Sequence, residues 1–258
     1  MNADEMTSRV AAPSGAAAGT TIGGMRVYAG SYATATARIV AWARAGMPRY
    51  VCVANVHMVM EAHDSPAFRQ LVNAADLVTS DGMPLVWLLR RRGHPGAERV
   101  YGPDLMLHVC GAAAAAGLSI GLFGGSQGTL ERLEQTLAGR FPELRIVTRI
   151  APSFGEMSAA ENEAHMAALT AGGASIIFVG LGCPRQERWM AANSARLPAV
   201  LIGVGAAFRF HAGEVRQAPG WLQRVGLEWA FRFAMEPRRL WRRYLVQNPR
   251  FVALLVRE

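Results

Sequence analysis

The residue best placed for acid–base chemistry lies where an apolar strand pattern gives way to a helix. Residues 77–79 read as a buried strand, Asp81-Gly82 as a turn, and Pro84 suits the first turn of the next helix. A carboxylate at the end of such a strand would lie at the carboxyl edge of the sheet, where open α/β sheets bind ligands. The nearby helix start favours negative charge, so we expect it to help keep Asp81 ionised. Asp81 is therefore a candidate base, although capping the helix is the more common role of an Asp at this position.

A glycine-rich loop at residues 124–128 (GGSQG) follows a second strand pattern and precedes a second helical pattern. Glycines allow backbone amides to approach a phosphate at a helix start, which makes Gly124, Gly125 and Ser126 candidate substrate-binding residues. The loop lacks the G-x-G-x-x-G pattern, and the following strand ends in Arg149 instead of an acidic residue. These two departures argue against a nicotinamide-dependent dehydrogenase.

The same loop matches G-x-S-x-G, the nucleophile turn of α/β hydrolases. Ser126 could then be a nucleophile with His165 or His211 as its base, which gives a serine hydrolase as the alternative function. The only earlier glycine pair that could contribute an oxyanion site is Gly23-Gly24, and it lies near the start of the chain.

Two further strand patterns end in glycine. Gly182 precedes Pro184, a helix-start signal, and places Gln186 and Glu187 in the first helical turn near the sheet edge. Glu187 there would also complement the helix dipole, which is its plainer interpretation. Gly205 ends the last strand pattern. Several glycine-rich exits on one edge indicate a ligand cleft, with Gly182, Glu187 and Gly205 among its lining.

The body of the chain alternates short apolar runs with amphipathic ones, and no internal repeat is evident. This alternation predicts an α/β fold in which a mostly parallel sheet carries helices on both faces. The strand patterns lie at residues 50–54, 77–79, 118–123, 144–150, 175–179 and 199–204. The helical patterns lie at residues 32–45, 65–74, 84–92, 105–116, 129–141, 159–171 and 184–195.

This pattern divides the chain into three segments. Residues 1–22 lack periodicity and any signal-like apolar run, so we expect a disordered tail. Residues 23–213 form the α/β domain, and residues 214–258 form a separate helical, basic appendage. The uncharged stretch at residues 105–125 is Ala- and Gly-rich and is broken by Gly117, which predicts a helix followed by a strand and no membrane span.

Composition restricts the environment of the protein. The three cysteines, Cys52, Cys110 and Cys183, show no C-x-x-C spacing, so neither a disulfide framework nor a thiolate metal site is indicated. All 27 basic residues are arginines, against 19 acidic residues. Arginine favours planar, bidentate contacts with phosphates and carboxylates.

The positive charge concentrates in the appendage. Residues 216–258 hold nine arginines against three glutamates, a net +6 of the chain's formal +8, with aromatic residues interleaved. This pattern suits a helix on an anionic bilayer, where each cation contributes about 1 kcal/mol. A helix docked on the domain with a solvated arginine face is the alternative. No nucleic-acid-binding motif accompanies the charge, so no nucleic acid partner is expected.

Taken together, the motifs resemble the WecG/TagA/CpsF glycosyltransferase family over about residues 23–244, in family order. The matching stretches are Val53-Ala54-Asn55-Val56-His57, Ala74-Ala75-Asp76-Leu77 with Asp81-Gly82, Glu98-Arg99-Val100 with Gly102 and Asp104, Gly180-Leu181-Gly182-x-Pro184-x-Gln186-Glu187, Gly203-Val204-Gly205, Ala218-Pro219-x-Trp221, and Gly226-Leu227-Glu228-Trp229 with Arg232 and Glu236-Pro237.

The resemblance implies a Rossmann-like domain that moves a sugar from a UDP-sugar to a polyprenyl-pyrophosphate-linked sugar. It implies a place on the cytoplasmic, inner face of the bacterial plasma membrane, in the synthesis of teichoic acid linkage units, enterobacterial common antigen or exopolysaccharides. Members often carry Thr at the position of Val53 and Arg at the position of Gln217. Both departures bear on sugar specificity, so N-acetylmannosamine, its uronic acid and glucose all stay open as donors, as does the oligomeric state.

The resemblance also implies roles for individual residues. Asp81 stands at the position of the family's proposed general base. The resemblance further implies catalytic roles for Asn55, Arg99 and Gln186, which match polar residues of the same pocket. It implies substrate-binding roles for Arg232, Arg239 and Arg242, which complete the site from the appendage.

The chemistry of such a transfer agrees with these residue types. A carboxylate base that activates a sugar hydroxyl contributes about 10²–10⁴-fold. Arginines would stabilise the charge that grows on the leaving diphosphate. No D-x-D pair or histidine cluster indicates a metal site, so we expect neither a metal nor a cofactor. The family's arrangement of a single base without a covalent intermediate implies inversion at the anomeric carbon.

Overall fold

A six-stranded parallel sheet forms the centre of the protein in a computed structural model that describes residues 18–257. Its strands are β3 (Arg49–Ala54), β4 (Leu77–Ser80), β5 (Ser119–Gly124), β6 (Arg145–Ile150), β7 (Ile176–Gly180) and β8 (Val200–Gly203). All five strand pairings in this sheet are parallel, and the strand order is β4-β3-β8-β7-β5-β6. The predicted α/β class is therefore confirmed.

Apolar side chains fill both faces of this sheet because successive residues of a strand point to opposite sides. In β3, Val51 and Val53 belong to one hydrophobic cluster, whereas Cys52 and Ala54 belong to the other. Helices α1 (Tyr32–Arg44), α5 (Gly102–Ala115), α6 (Gln127–Arg140) and α9 (Ala207–His211) cover the first face. Helices α2 (Val56–Asp64), α3 (Pro66–Asn73), α4 (Met83–Arg91), α7 (Ala159–Gly172) and α8 (Arg185–Asn193) cover the second.

An antiparallel hairpin precedes the sheet, which sequence reasoning did not predict. It joins β1 (Gly19–Ile22) to β2 (Met25–Tyr28) through Gly23 and Gly24, whose φ angles are +57° and +78°. Two glycines with positive φ form the tight turn that such hairpins require. The prediction of disorder to residue 22 is thus wrong for residues 19–22, because Ile22 is fully buried with the core. Residues 1–17 of that predicted tail lie outside the described residues.

Beyond residue 214 every described regular element is helical. Residues 237–257 form one continuous helical rod with a π-helical turn at Arg242–Val246. The elements of this segment are α10 (Gly220–Arg224), α11 (Glu228–Met235), α12 (Pro237–Trp241) and α13 (Gln247–Arg257).

The rod docks on α2 of the domain. Phe251 is 3% exposed and lies in the core cluster of the second sheet face. Arg250 forms a two-point ion pair with Asp64 at 2.6 and 2.8 Å, and the amide of Gln247 donates to Glu61 at 3.3 Å. The predicted basic helical appendage is present, and it packs against the domain through these contacts.

Within residues 18–257, none of the helices combines the length and the apolar character that crossing a membrane requires. The uncharged stretch at residues 105–125 contains most of α5 and strand β5, as its composition predicts.

Candidate active site

Asn55 and Asp81 lie side by side because their strands are neighbours in parallel register. Ala54 of β3 pairs with Ser80 of β4, so the next residue of each strand leaves the sheet at the same place. The Asp81 amide donates to the Ala54 carbonyl at 2.7 Å, and the Asn55 side-chain amide donates to Oδ2 of Asp81 at 3.3 Å. The oxygen of the Asn55 amide caps α2 by accepting from the Met58 amide. Asn55 is thereby fixed with its NH₂ group towards Asp81.

Asp81 does not cap a helix. The N-cap of α4 is Gly82, and no side chain bonds to that helix end. The more common interpretation of an Asp at a strand exit is therefore wrong here, and the carboxylate is left for other contacts.

Arg99 reaches Asp81 from an extended segment that runs beside β4. The Val100 amide donates to the Ser80 carbonyl at 2.8 Å, which aligns this segment with the strand. Nε of Arg99 donates to the Asp81 backbone carbonyl, and its Nη2 lies 3.6 Å from Oδ1 of Asp81. The guanidinium also stacks 4.1 Å from the centre of the Tyr101 ring.

Two residues of the C-terminal segment take the remaining nitrogens of Arg99. Nη1 donates to Oε1 of Gln223 at 3.0 Å, and Nη2 donates to Oε2 of Glu228 in a closer contact than the one to Asp81. Arg99 thus joins the β4 exit loop to α10 and α11, and it lies between two carboxylates.

Burial dominates the electrostatics of Asp81. Its side chain is 17% exposed, and within the described residues Oδ1 has no hydrogen-bond donor. Burial raises the pKa of Asp81 above its ordinary value, the Arg99 charge opposes this rise, and the Glu228 charge adds to it. The expected help of the helix start is outweighed, so the carboxylate is a stronger base than an exposed Asp.

Asp81 lines two cavities of opposite character. The larger, of about 890 Å³, lies over the carboxyl ends of β3, β7 and β8. Its arginines are Arg209, Arg232, Arg239, Arg242 and Arg243. The smaller, of about 550 Å³, lies between α4 and the C-terminal helices and is mainly apolar. Its apolar lining includes Met83, Trp87, Leu88, Trp229, Phe251, Val252 and Leu255.

The two cavities meet at five shared residues. These are Asn55, His57, Asp81, Arg232 and Arg243. Asp81 is the one carboxylate among them, so the polar cleft and the apolar cavity share a single acidic group.

Gln186 lines the larger cleft but serves mainly as a brace between two of its loops. It is 3% exposed, and its Oε1 accepts from the backbone amides of Gly182 at 3.2 Å and Gly205 at 3.0 Å. Both glycines have positive φ, +80° and +56°, and both line the cleft. The amide nitrogen of Gln186 donates to Oε1 of Glu187 at 2.7 Å. Gln186 therefore holds the shape of the cleft.

Glu187 lies beneath the cleft instead of facing it. It is fully buried and is not part of either cavity lining. Burial raises its pKa to about 7, and the hydrogen bond from Gln186 works against this rise. Its place on the inner side of α8, next to Gln186, explains the burial.

The GGSQG loop lies apart from both cavities. A Cβ on Gly124 would lie 2.6 Å from the Gly180 backbone, and Gly125 has a φ of +72°. Ser126 caps α6 by accepting from the Thr129 amide at 3.1 Å. Close strand contact and helix capping account for this pattern, and the loop adds no residue to the Asp81 site.

The alternative hydrolase triad is not assembled within residues 18–257. The Ser126 hydroxyl pairs with the Thr129 hydroxyl at 2.8 Å. His211 bonds to the Pro103 carbonyl at 2.9 Å, and His165 packs edge-on against Phe123. Neither histidine hydrogen-bonds to Ser126.

The appendage brings its arginines over the cleft. Arg232 lines both cavities, and in the described structure its Nε has no acceptor. Arg239 and Arg242 line the larger cleft, and Arg239 is paired with Glu236 at 2.9 Å. Arg242 and Arg243 belong to the π-helical turn, a conformation that occurs frequently at functional sites.

Sequence reasoning missed three residues of the site. His57, in the first turn of α2, bonds to Gln247 of the rod at 2.5 Å, and burial lowers its pKa. From the sequence, Arg243 is only one of the nine arginines of the appendage, and Glu228 is only part of a motif. The signal available for Glu228 is that it is one of few acidic residues in an arginine-rich segment.

The arginines that line the larger cleft are hydrogen-bond donors suited to oxyanions such as phosphates and carboxylates. In the part of the chain that the structure describes, no group of three or more His, Cys, Asp or Glu side chains is arranged to hold a metal ion. In a comparison with protein families, the model of the "Glycosyl transferase WecG/TagA/CpsF family" matches residues 20–258.

Proposed function

The chain belongs to the WecG/TagA/CpsF family of glycosyltransferases, and from this premise we propose how it performs the transfer. It moves a hexose or N-acetylhexosamine from a UDP-sugar to a polyprenyl-pyrophosphate-linked sugar, with inversion and with Asp81 as the general base. The observation that carries this proposal is the position of Asp81, which among residues 18–257 is the only carboxylate shared by a polar cleft and an apolar cavity.

The larger cleft is the donor side. Its glycine loops at Gly182 and Gly205 expose backbone to a ligand at the carboxyl edge of the sheet, where nucleotides bind in this class of fold. Arg232, Arg239 and Arg242 face the cleft from the appendage. Their guanidinium groups match the diphosphate of a UDP-sugar and would stabilise the charge that develops on it.

The smaller cavity is the acceptor side. Trp87, Leu88 and Trp229 give it an apolar wall, which suits a substrate that carries a hydrocarbon chain. Arg232 and Arg243 lie where it opens onto the donor cleft, so they are placed for the pyrophosphate that links chain and sugar. The acceptor hydroxyl would then reach the donor sugar at Asp81.

The reaction balances with one base. The Asp81 carboxylate takes the proton of the acceptor hydroxyl while that oxygen attacks the anomeric carbon of the donor. The bond from this carbon to the β-phosphate oxygen of UDP breaks, and UDP leaves with the electron pair. Asn55 orients the carboxylate through its hydrogen bond to Oδ2. Attack opposite the leaving group inverts the anomeric centre.

The C-terminal segment, residues 214–258, is proposed to place this site at the inner face of the plasma membrane. Its exposed aromatic residues include Trp221 and Trp241, 59% and 47% exposed, and Arg224 and Arg238 are exposed on the same segment. Aromatic and cationic side chains together favour an anionic bilayer surface. Vesicles with and without anionic lipid test this part. Arg224→Gln should weaken binding to anionic vesicles only, whereas Trp221→Ser should weaken binding to both kinds.

Kinetics of UDP release test the assignment of the base. UDP-sugars are screened with a short-chain lipid-linked acceptor, and kcat is then measured for the native chain, Asp81→Asn and Ser126→Ala. Loss of the base lowers kcat about 10²–10⁴-fold. Ser126→Ala, which touches only a helix cap, should keep most of the activity. Full activity in Asp81→Asn, or hydrolysis of an activated ester that disappears in Ser126→Ala, would overturn the proposal.

A further inference from the structure

Arg99 lies between two carboxylates, and only one of them belongs to the α/β domain. Asp81 comes from the end of β4, whereas Glu228 comes from the start of α11 in the C-terminal segment. The Arg99 Nη2 group lies 3.6 Å from Asp81 and makes its closer contact with Glu228. Glu228 is 13% exposed on its side chain, so this contact is shielded from solvent.

Each side-chain nitrogen of Arg99 makes its hydrogen bond to a group other than the Asp81 carboxylate, which lies 3.6 Å from Nη2. Nε donates to the Asp81 backbone carbonyl, Nη1 to Gln223 and Nη2 to Glu228. An arginine beside a lone carboxylate normally forms a two-point fork with it. Here Gln223 and Glu228 occupy the groups that such a fork would use.

We propose that Glu228 is a positioning residue that keeps Arg99 from neutralising Asp81. The Asp81 carboxylate is then an effective base only when the C-terminal segment is docked on the domain. The inference rests on the proposed role of Asp81 as general base. If the C-terminal segment undocks, Arg99 loses its hydrogen bonds to Gln223 and Glu228 and pairs with the Asp81 carboxylate instead. A carboxylate paired with a guanidinium is a weaker base, because an opposite charge at this distance lowers its pKa by about 1–3. Docking would thereby make the base strength of Asp81 depend on the segment that we propose to bind the membrane.

Other charged and titratable groups also face Asp81, and they set the background against which Glu228 acts. Besides Arg99 and Glu228 they are Arg232 from α11, Arg243 from the π-helical turn, His57 from α2, Tyr32 from α1 and Tyr101 before α5. Apart from Asp81 itself, Glu228 is the only carboxylate among these groups. Its loss shifts the balance in one direction, towards a more acidic Asp81.

The test is the pH dependence of kcat for the full chain with UDP-sugar and lipid-linked acceptor. Activity rises with pH as Asp81 loses its proton. In Glu228→Gln we expect this rise about one pH unit or more below its native position. The plateau kcat should fall as well, because a weaker base accepts the proton less readily, whereas the donor KM should change less than twofold. Glu228→Asp keeps the charge and should keep the native position of the rise.

Asp64→Asn is the matched control. It removes the Asp64–Arg250 ion pair, which also joins the C-terminal segment to the domain, but it lies on the far end of α2. It should leave the pH profile unchanged. If Glu228→Gln does not fold, Gln223→Leu removes the other tether of Arg99 without changing charge and should move the rise in the same direction.

The outcomes separate the two proposals. If Asp81→Asn keeps its activity, the proposed base is wrong. If Asp81→Asn is inactive but Glu228→Gln keeps the native pH profile, or shifts it equally with Asp64→Asn, only the positioning role of Glu228 is overturned.

Discussion

The brace formed by Gln186 gives a prediction whose size follows from the structure. Gln186→Leu preserves the approximate volume of the side chain but removes three buried hydrogen bonds, to Gly182, Gly205 and Glu187. Each buried bond contributes about 0.5–1.5 kcal/mol, and a partner left unsatisfied costs about 1–3 kcal/mol. We expect the free energy of unfolding to fall by about 2–4 kcal/mol.

Thermal unfolding and donor kinetics measure this effect. At roughly 2–4 °C per kcal/mol for a domain of this size, Tm should fall by about 4–16 °C. The donor KM should rise because Gly182 and Gly205 would no longer be tied together across the cleft. Gln127→Leu is the control, since it removes one exposed bond to Glu131 within α6 that is worth about 0.2–0.5 kcal/mol.

One result would refute the brace. If Gln186→Leu keeps its Tm and its donor KM but loses kcat, then Gln186 acts directly on the reacting groups, which is the role that the family resemblance implied.

Three further predictions follow from burial. Asp81→Asn should raise Tm at pH 7. The pKa of Asp81 is higher in the folded chain than in the unfolded chain, so the native protein loses stability as pH rises above the ordinary pKa of an Asp, and Asn removes this loss. A lower Tm for Asp81→Asn would contradict this. Glu187→Gln should lose less stability than the native chain between about pH 4.5 and 7, where Glu187 is ionised in the unfolded native chain but still protonated in the folded one, as Tm at several pH values will show. Phe251→Ala should cost about 3–5 kcal/mol and increase hydrogen exchange in α13, whereas Val256→Ala, at an 83% exposed position, should change neither.

The sequence predicted the sheet well because its strands are buried on both faces. Continuous apolar runs such as residues 175–179 have few alternatives to a central parallel strand, and the sheet confirms them. The hairpin was missed since its strands have four residues each, too few for a period to emerge. Gly23-Gly24 was the available signal, and it was considered only as a possible oxyanion site.

The site was harder to predict because it depends on contacts between distant parts of the chain. The neighbourhood of Asn55 and Asp81 follows from strand order, which no local pattern contains. The pairing of Arg99 with Glu228 joins residues 129 positions apart. Glu187 also could not be placed from local sequence. An acidic residue in the first turn of a helix is usually exposed, and only the packing of α8 shows that Glu187 is buried.

A crystal structure of the full chain with UDP tests the central claim most directly. The account predicts the diphosphate in the larger cleft, between the Gly182 and Gly205 loops and the guanidinium groups of Arg239 and Arg242, with Asp81 at the position open to the sugar. UDP bound instead at the Gly124–Ser126 loop, or the Asp81 carboxylate turned away from the bound diphosphate, would contradict it.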